Sequence, residues 1–303
     1  MKNQQVVRDR LYSLLGDLPI RHRSISASTT STVERDGYVL ESLILDLNGI
    51  EPVPACFAKP IGARGKLPLI IFHHSHGSKY ALGKDELIDG NPGILLEEPY
   101  AIALTRAGYA VLCIDAWCFG ERSHTSELDT FKAFLWQGIS LWGMMMYDAL
   151  RALDYAHMRS DVDTARIGTM GMSMGCTVAW WLAALDERIK VCADMCCLVD
   201  YQTLLETKRL SKHGIYYYVP GILKHFNSSD ILGLIAPRPH LACVGEHDQG
   251  SPIEGVEKID KHLRQLYAQA DAPQAWQLRR YDCGHQEIPP MRGEILDFLK
   301  HWM

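Results

Sequence analysis

The segment Gly171-Met172-Ser173-Met174-Gly175 sets one serine between two glycines, each two residues away. A serine hydroxyl is a weak nucleophile, and it attacks a carbonyl only where a base takes its proton and a third group orients that base. The spacing suits a sharp turn from strand into helix, with the central residue strained and its hydroxyl projecting outward. Small residues on either side leave room for the backbone to double back. The flanks agree: Ile167 to Met170 is an apolar run of strand length, and Thr177-Val178-Ala179-Trp180-Trp181-Leu182 reads as a buried helix. Ser173 is the expected nucleophile of an acyl-transfer site.

Its partners are sought downstream, because a serine on a Gly-x-Ser-x-Gly turn is followed along the chain by its acid and then its histidine, on loops after late strands. Asp248 follows the strand-like run His240 to Val244, and His285 follows the run Trp276 to Tyr281, in Asp282-Cys283-Gly284-His285. Both lie at the carboxyl ends of strands, where such sheets carry their sites. Glu246 is a rival acid two positions earlier; Asp248 is preferred because it sits farther out on the loop. The chain has 13 histidines, and the place of His285 after the last strand separates it from the others.

Acyl transfer also needs donors aimed at the developing oxyanion. One is expected from the backbone of Met174, at the start of the helix, and a second from the loop His73-His74-Ser75-His76-Gly77 after the run Leu67 to Phe72. Ser75 is the first choice there and His76 the second. Three histidines in four residues raise the thought of a metal, but no His-Glu-x-x-His pattern or carboxylate cluster accompanies them. A hydrogen-bonding role inside the loop is the expectation, with no metal and no cofactor.

The elements that must position these residues alternate. Strand-like runs cover Val39 to Leu47, Val53 to Ala58, Leu67 to Phe72, Ala110 to Ile114, Arg166 to Met170, Ile189 to Ala193, His240 to Val244 and Trp276 to Tyr281. Helical patterns lie between them, at about Leu141 to Met158, after Gly175, at Val256 to Ala270 and at Met291 to Trp302. Short apolar strands separated by helix-length segments predict a mainly parallel sheet covered on both faces. Residues 1–32 read as an N-terminal helix, with Val6, Val7, Leu11, Leu14 and Leu15 on one face, and then an exposed Ser/Thr-rich connector. Residues 198–239 break the alternation and read as a small cap-like insertion in a single domain spanning 1–303.

Composition bounds the partners. The formal net charge is −5 and no basic footprint for nucleic acid is present. No run of 18 apolar residues suggests a membrane span, and the start Met1-Lys2-Asn3-Gln4-Gln5 lacks a signal-peptide pattern. Nine cysteines are scattered, several in apolar runs, as expected of reduced thiols in a cytoplasmic protein rather than a disulfide framework. A small-molecule ester is the expected partner; the oligomeric state is not legible.

The chain resembles the α/β hydrolases related to dienelactone hydrolases and bacterial acetyl xylan esterases. The shared blocks include Leu14-Leu15-Gly16-Asp17-Leu18-Pro19, Gly108-Tyr109-Ala110-Val111-Leu112, Phe119-Gly120-Glu121-Arg122, Ala184-Leu185-Asp186-Glu187-Arg188-Ile189, Val219-Pro220-Gly221, Ala236-Pro237-Arg238-Pro239 and Cys283-Gly284-His285. The resemblance implies the α/β-hydrolase fold, a triad falling on Ser173, Asp248 and His285, and no cofactor. Two loops depart from the pattern: relatives commonly have His-Gly-x-Gly-Gly where this chain has His73 to Gly77, and often Arg-Gly where it has Asp115-Ala116-Trp117-Cys118-Phe119-Gly120. Dienelactone hydrolases themselves use a cysteine nucleophile, so Ser173 implies the esterase side of the group.

Trp117, Phe119 and Tyr217 are candidate pocket residues, with Trp136, Trp142, Tyr216 and Tyr218 as further aromatics near the same segments. Trp142 on the long helix reads as core. Glu121-Arg122 reads as a structural ion pair or loop anchor, and Lys79 as solvated. A serine esterase is the expectation. A peptidase or thioesterase with the same triad is the alternative, although nothing of propeller size is present to anchor peptides. A non-catalytic binding module would be expected to have lost a triad residue, and all three are in place.

Overall fold

A computed structural model describes residues 4–303. Met1 to Asn3, part of the polar start read above, lie outside the described residues. Among the described residues nine strands form one sheet: β1 (Ser26–Arg35), β2 (Tyr38–Asp46), β3 (Val53–Pro60), β4 (Leu67–His73), β5 (Ala110–Ile114), β6 (Val162–Met172), β7 (Val191–Met195), β8 (His240–Gly245) and β9 (Trp276–Tyr281). Their order is β1-β2-β3-β5-β4-β6-β7-β8-β9. The first strands pair antiparallel, and everything from β5 to β9 is parallel.

The helices are α1 (Gln4–Ser13), α2 (Glu86–Asp89), α3 (Tyr100–Arg106), α4 (Glu127–Trp136), α5 (Leu141–Met158), α6 (Met174–Leu185), α7 (Tyr201–Glu206), α8 (Ser228–Gly233), α9 (Ile253–Gln269) and α10 (Pro289–Trp302). The two-residue period of a strand divides the core between the faces of the sheet. In β4, Leu69 and Ile71 join the apolar cluster that contains α5, α6 and α9, while Ile70 and Phe72 join the one that contains α3 and α10. Because β4 is covered on both sides, it reads as a continuous apolar run rather than an alternating one.

The Ser/Thr-rich stretch is a strand rather than a connector. It was expected as a connector, and its residues are exposed, but Ser26–Arg35 is a ten-residue edge strand paired with β2 from Ser26↔Asp46 to Arg35↔Tyr38. Both of its faces meet solvent, so it carries no alternation of apolar and polar residues to read. Its Thr and Val side chains nevertheless suit extended backbone.

α6 is held at its carboxyl end by two guanidinium groups. Arg8 of α1 donates to the carbonyls of Ala184 and Leu234, both at 2.9 Å. Arg238 donates to the carbonyls of Ala183 (2.5 Å), Asp186 (3.0 Å) and Ile189 (2.7 Å). The last carbonyls of a helix lack partners within it, and cations there satisfy both the hydrogen bonds and the helix dipole. Burial and the nearby Arg8 push Arg238 down to about 10, which still leaves it charged near neutral pH.

Candidate active site

β6 delivers its last residues to the centre of the sheet, and the chain reverses into α6 at Ser173, whose φ of 59° and ψ of −118° place it in strained backbone. The strain is anchored by the Ser173 N–H, which donates to the Met195 carbonyl at 2.9 Å. The flanking glycines are required by contact. A Cβ on Gly175 would stand 1.9 Å from the His73 carbonyl oxygen, and one on Gly171 would stand 2.5 Å from the backbone of Gly175. Replacing Gly175 with Ala is expected to cost about 3 kcal/mol of stability, since only backbone movement relieves the clash. A urea midpoint equal to that of the parent protein would contradict this.

The loops after β8 and β9 are stitched together by backbone bonds from Glu246 to Tyr281 (2.8 Å) and from His247 to Cys283 (3.0 Å). That stitching sets Asp248 against His285. The Asp248 Oδ2 accepts from His285 Nδ1 at 2.8 Å, and Asp248 Oδ1 accepts from the Gly250 N–H at 2.8 Å. On the other side of the ring, His285 Nε2 lies 2.8 Å from Ser173 Oγ. Asp248 is buried, whereas Ser173 is half-buried and His285 exposed. Glu246 is exposed and paired with Arg280 at 3.0 Å, away from the imidazole.

Two residues beyond His285, Glu287 anchors the chain. Its buried carboxylate accepts from Arg292 (2.6 and 2.7 Å), the Tyr100 hydroxyl (2.6 Å) and the Leu96 N–H (2.9 Å). The Glu287 N–H donates to Ile94 at 2.7 Å.

The loop after β4 departs from expectation at Ser75. Its N–H donates to Glu86 Oε1 at 2.7 Å and its hydroxyl donates to Glu86 Oε2, so this amide is not free to receive an oxyanion. Glu86 and Asn91, both fully buried, complete the network through a 2.8 Å bond. The amide of His76, the second choice, has no hydrogen-bond partner among the described residues, and His76, Met174 and Ser173 line the same cleft. Glu86 thus occupies the Ser75 amide and leaves that of His76 without a protein partner among the described residues.

The loop histidines are committed to protein partners. His73 Nε2 meets Thr169 Oγ1 at 3.0 Å. His74 Nε2 accepts from the Ala116 N–H at 3.1 Å, so its Nδ1–H donates to the Ser75 carbonyl at 2.7 Å. His76 Nδ1 accepts from the Ser78 N–H at 3.0 Å, which leaves Nε2–H to donate to the Tyr216 oxygen at 3.1 Å. Among the described residues the one group spaced to hold a metal is Cys192, Asp194 and His240, wholly buried in the sheet layer and not in this loop.

Burial lowers His73 to about 3, and burial with the neighbouring His74 and His285 lowers His76 to about 4. Unfolding exposes both rings, which then bind protons near pH 6.5. The unfolded chain therefore holds more protons than the folded one from about pH 6.5 down toward pH 4, and stability falls as pH falls through that window. Urea midpoints at steps across it are expected to decline. A flatter decline in His73→Asn would assign part of the slope, and an unchanged slope would remove His73 from it.

Residues 45–230 match the acetyl xylan esterase (AXE1) family. Over 296 residues the chain is 50% identical to YtaP, a protein of Bacillus subtilis (strain 168) described as a hydrolase, with 98% of each chain covered. The chain belongs to the acetyl xylan esterase family. It is a carboxylic ester hydrolase of the α/β-hydrolase fold. Solved structures share that fold. The acetyl xylan esterase from Paenibacillus sp. R4 superposes on this esterase with a TM-score of 0.70 at 18% identity, covering 100% of this chain and 95% of that one. The glucuronoyl esterase from Solibacter usitatus does so with a TM-score of 0.68 at 16% identity, covering 99% and 92%.

Of the pocket candidates, Tyr217 lines the cleft, while Trp117 and Phe119 do not. Trp117 is buried beneath the Arg122 guanidinium, 4.3 Å from its ring, and packs edge-on against Phe134. Phe119 is fully buried behind the site, stacked on Tyr80 with centroids 5.0 Å apart and touching His76 from the rear. Both rings satisfy the apolar loop read after β5 by filling core rather than by meeting substrate. Trp136 is 94% exposed and Trp142 is core.

Glu121 and Arg122 do not pair with each other: Glu121 binds Lys84, and Arg122 binds the buried Asp148 at 2.9 Å and Glu51 at 2.6 Å. Lys79 is not simply solvated, because its ammonium donates to Asn91 Oδ1 at 2.8 Å.

The cleft has a volume of about 410 Å³, and its far wall carries residues the motifs did not reveal. His213 is the main one. Its Nε2–H donates to the Gly250 carbonyl at 2.9 Å, tying residues 198–239 to the Asp248 loop, and its ring stacks on Tyr217 with centroids 4.8 Å apart. A histidine three residues before a tyrosine triplet, in a segment that breaks the α/β alternation, was the available signal.

Proposed function

We propose that this esterase uses Ser173 as nucleophile, His285 as general base and then acid, and Asp248 as the group that orients the imidazole. The carrying observation is the unbroken hydrogen-bonded row from Ser173 Oγ through His285 to Asp248, at 2.8 Å on each side. His285 takes the Ser173 proton as Oγ attacks the ester carbonyl. The oxyanion is received by the N–H groups of Met174 and His76. Collapse of the tetrahedral intermediate breaks the bond to the alcohol oxygen, which leaves with the proton held by His285. Water, deprotonated by His285, then releases the acyl group and restores Ser173.

The substrate is a small ester of a polar alcohol of the sugar type. Family membership supports this, as does a cleft rimmed by Lys212, His213, His247 and Gln249, side chains suited to hydroxyl groups. Residues 198–239 act as a cap on one domain spanning 1–303, supported by the tie from His213 to Gly250 and by a 2.9 Å bond from the Tyr216 N–H to Glu127. Nine buried, unpaired thiols support residence in the reducing cytoplasm. Among the described residues, no helix is long and apolar enough to cross a membrane.

A fluorophosphonate probe tests the site. Labelling is expected in the parent protein and not in Ser173→Ala, and labelling that survives the substitution would place the nucleophile elsewhere. Acetylated xylose compared with a p-nitroanilide peptide then tests the substrate class, with turnover confined to the ester as the expected result.

A further inference from the structure

Tyr217 is the wall of two cavities. One is the catalytic cleft, and the other is a second cavity of about 160 Å³, lined also by Trp181, Tyr201, Leu204, Val219, Ile222 and other carbon-rich side chains. It belongs almost wholly to residues 198–239, apart from Trp181 of α6. Its size compares with that of an engineered apolar cavity of about 150 Å³ that stays dry and takes up benzene. At its mouth Leu205, Leu210 and Leu223 are 49%, 37% and 40% exposed, an apolar rim on the outer surface.

The dividing ring is held by its faces and edges, not by its oxygen. Tyr217 stacks on His213 and meets Tyr201 and Trp142 edge-on, while its hydroxyl is buried with no hydrogen-bond partner. The two cavities are thus neighbours that share one side chain, and the second is walled mainly by carbon.

We infer that the cavity behind Tyr217 is a subsite for an apolar group of the ester substrate, an alkyl chain or aryl ring of about benzene size. This rests on the proposed esterase chemistry at Ser173 only for the claim that the group arrives as part of an ester. A sugar-type alcohol occupies the polar cleft, and the carbon-rich end of the same molecule passes Tyr217. Burying each methylene contributes to kcat/KM until the cavity is full.

Two measurements test this. Toluene is titrated calorimetrically into the Ser173→Ala protein, where catalysis plays no part. Saturable binding is expected, weakened about tenfold or more when the rim residue Leu223 is replaced by Trp to fill the cavity. Leu205→Asp, a charge at the same rim, is expected to weaken it too, and thermal melting of both variants establishes that they are folded. In protein with Ser173 intact, the ratio of kcat/KM for p-nitrophenyl hexanoate over acetate is then compared between Leu223 and Leu223→Trp. The intact subsite is expected to add about three- to fourfold per methylene, and the filled one to lose that gain.

Absence of toluene binding overturns the subsite. Toluene binding with an unchanged chain-length ratio also overturns the inference, because the cavity then takes free apolar molecules and not the substrate. Loss of all ester hydrolysis in the otherwise native enzyme would instead defeat the proposed chemistry and leave the calorimetric result standing.

Discussion

Ser173→Ala is expected to lower kcat for a p-nitrophenyl ester by about 10⁴–10⁶ while leaving KM within a few-fold of the parent value. The methyl group removes the only atom that forms the acyl bond, yet leaves the cleft, the amides of Met174 and His76, and the imidazole in place. Residual turnover then comes from binding and oxyanion stabilisation acting on water. Alanine also retains the backbone conformation of the elbow, because the anchoring bond to Met195 is made by the main chain. Steady-state kinetics with active-site titration to exclude parent contamination would measure the loss. Hydrolysis near the parent rate would mean that Ser173 is not the nucleophile.

Asp248→Asn is expected to lower kcat by about 10⁴ with little change in size or packing. The reason is a proton on the wrong nitrogen. Asp248 Oδ1 is occupied by the Gly250 N–H, so the other arm of the side chain faces His285 Nδ1. With an amide NH₂ in that arm, Nδ1 must accept, and the imidazole proton moves to Nε2. The ring then points a donor at Ser173 Oγ and has no lone pair with which to take its proton. Glu246→Gln supplies the contrast: its carboxylate serves an exposed ion pair with Arg280, and its loss is expected to change kcat less than about twofold. Equal effects of the two substitutions would defeat the assignment of Asp248.

Much of this site was legible because its residues sit at fixed offsets from strand ends. Strands β5 and β9 and helix α5 fall on the expected residues, and Ser173, Asp248 and His285 converge as their order along the chain implied. What was not legible depended on contacts between loops. Choosing His76 over Ser75 required knowing that Glu86, eleven residues later, would turn back and occupy the Ser75 amide. A buried carboxylate has no sequence signature when its partners are a loop N–H, a hydroxyl and an amide brought in from separate turns.

Trp117 and Phe119 misled for a related reason. An aromatic near a site packs either toward the cleft or behind it, and only the guanidinium of Arg122 and the stacking of Tyr80 decide which. β1 was hidden because an edge strand wet on both faces carries no period.

The two arginines on the carboxyl end of α6 have an electrostatic consequence for its opposite end. A helix carries roughly half a positive charge at its first turn and half a negative charge at its last. In α6 the first turn is Met174, beside the nucleophile, and the last carbonyls are covered by Arg8 and Arg238. At roughly 1.5 Å per residue, the 12 residues of the helix keep those cations about 18 Å from the reacting carbonyl. They quench the negative pole and are too remote to act as counterions themselves. Seen from Ser173, α6 therefore works as a single positive pole rather than as a dipole, and its field on the oxyanion is not diminished by its own far end.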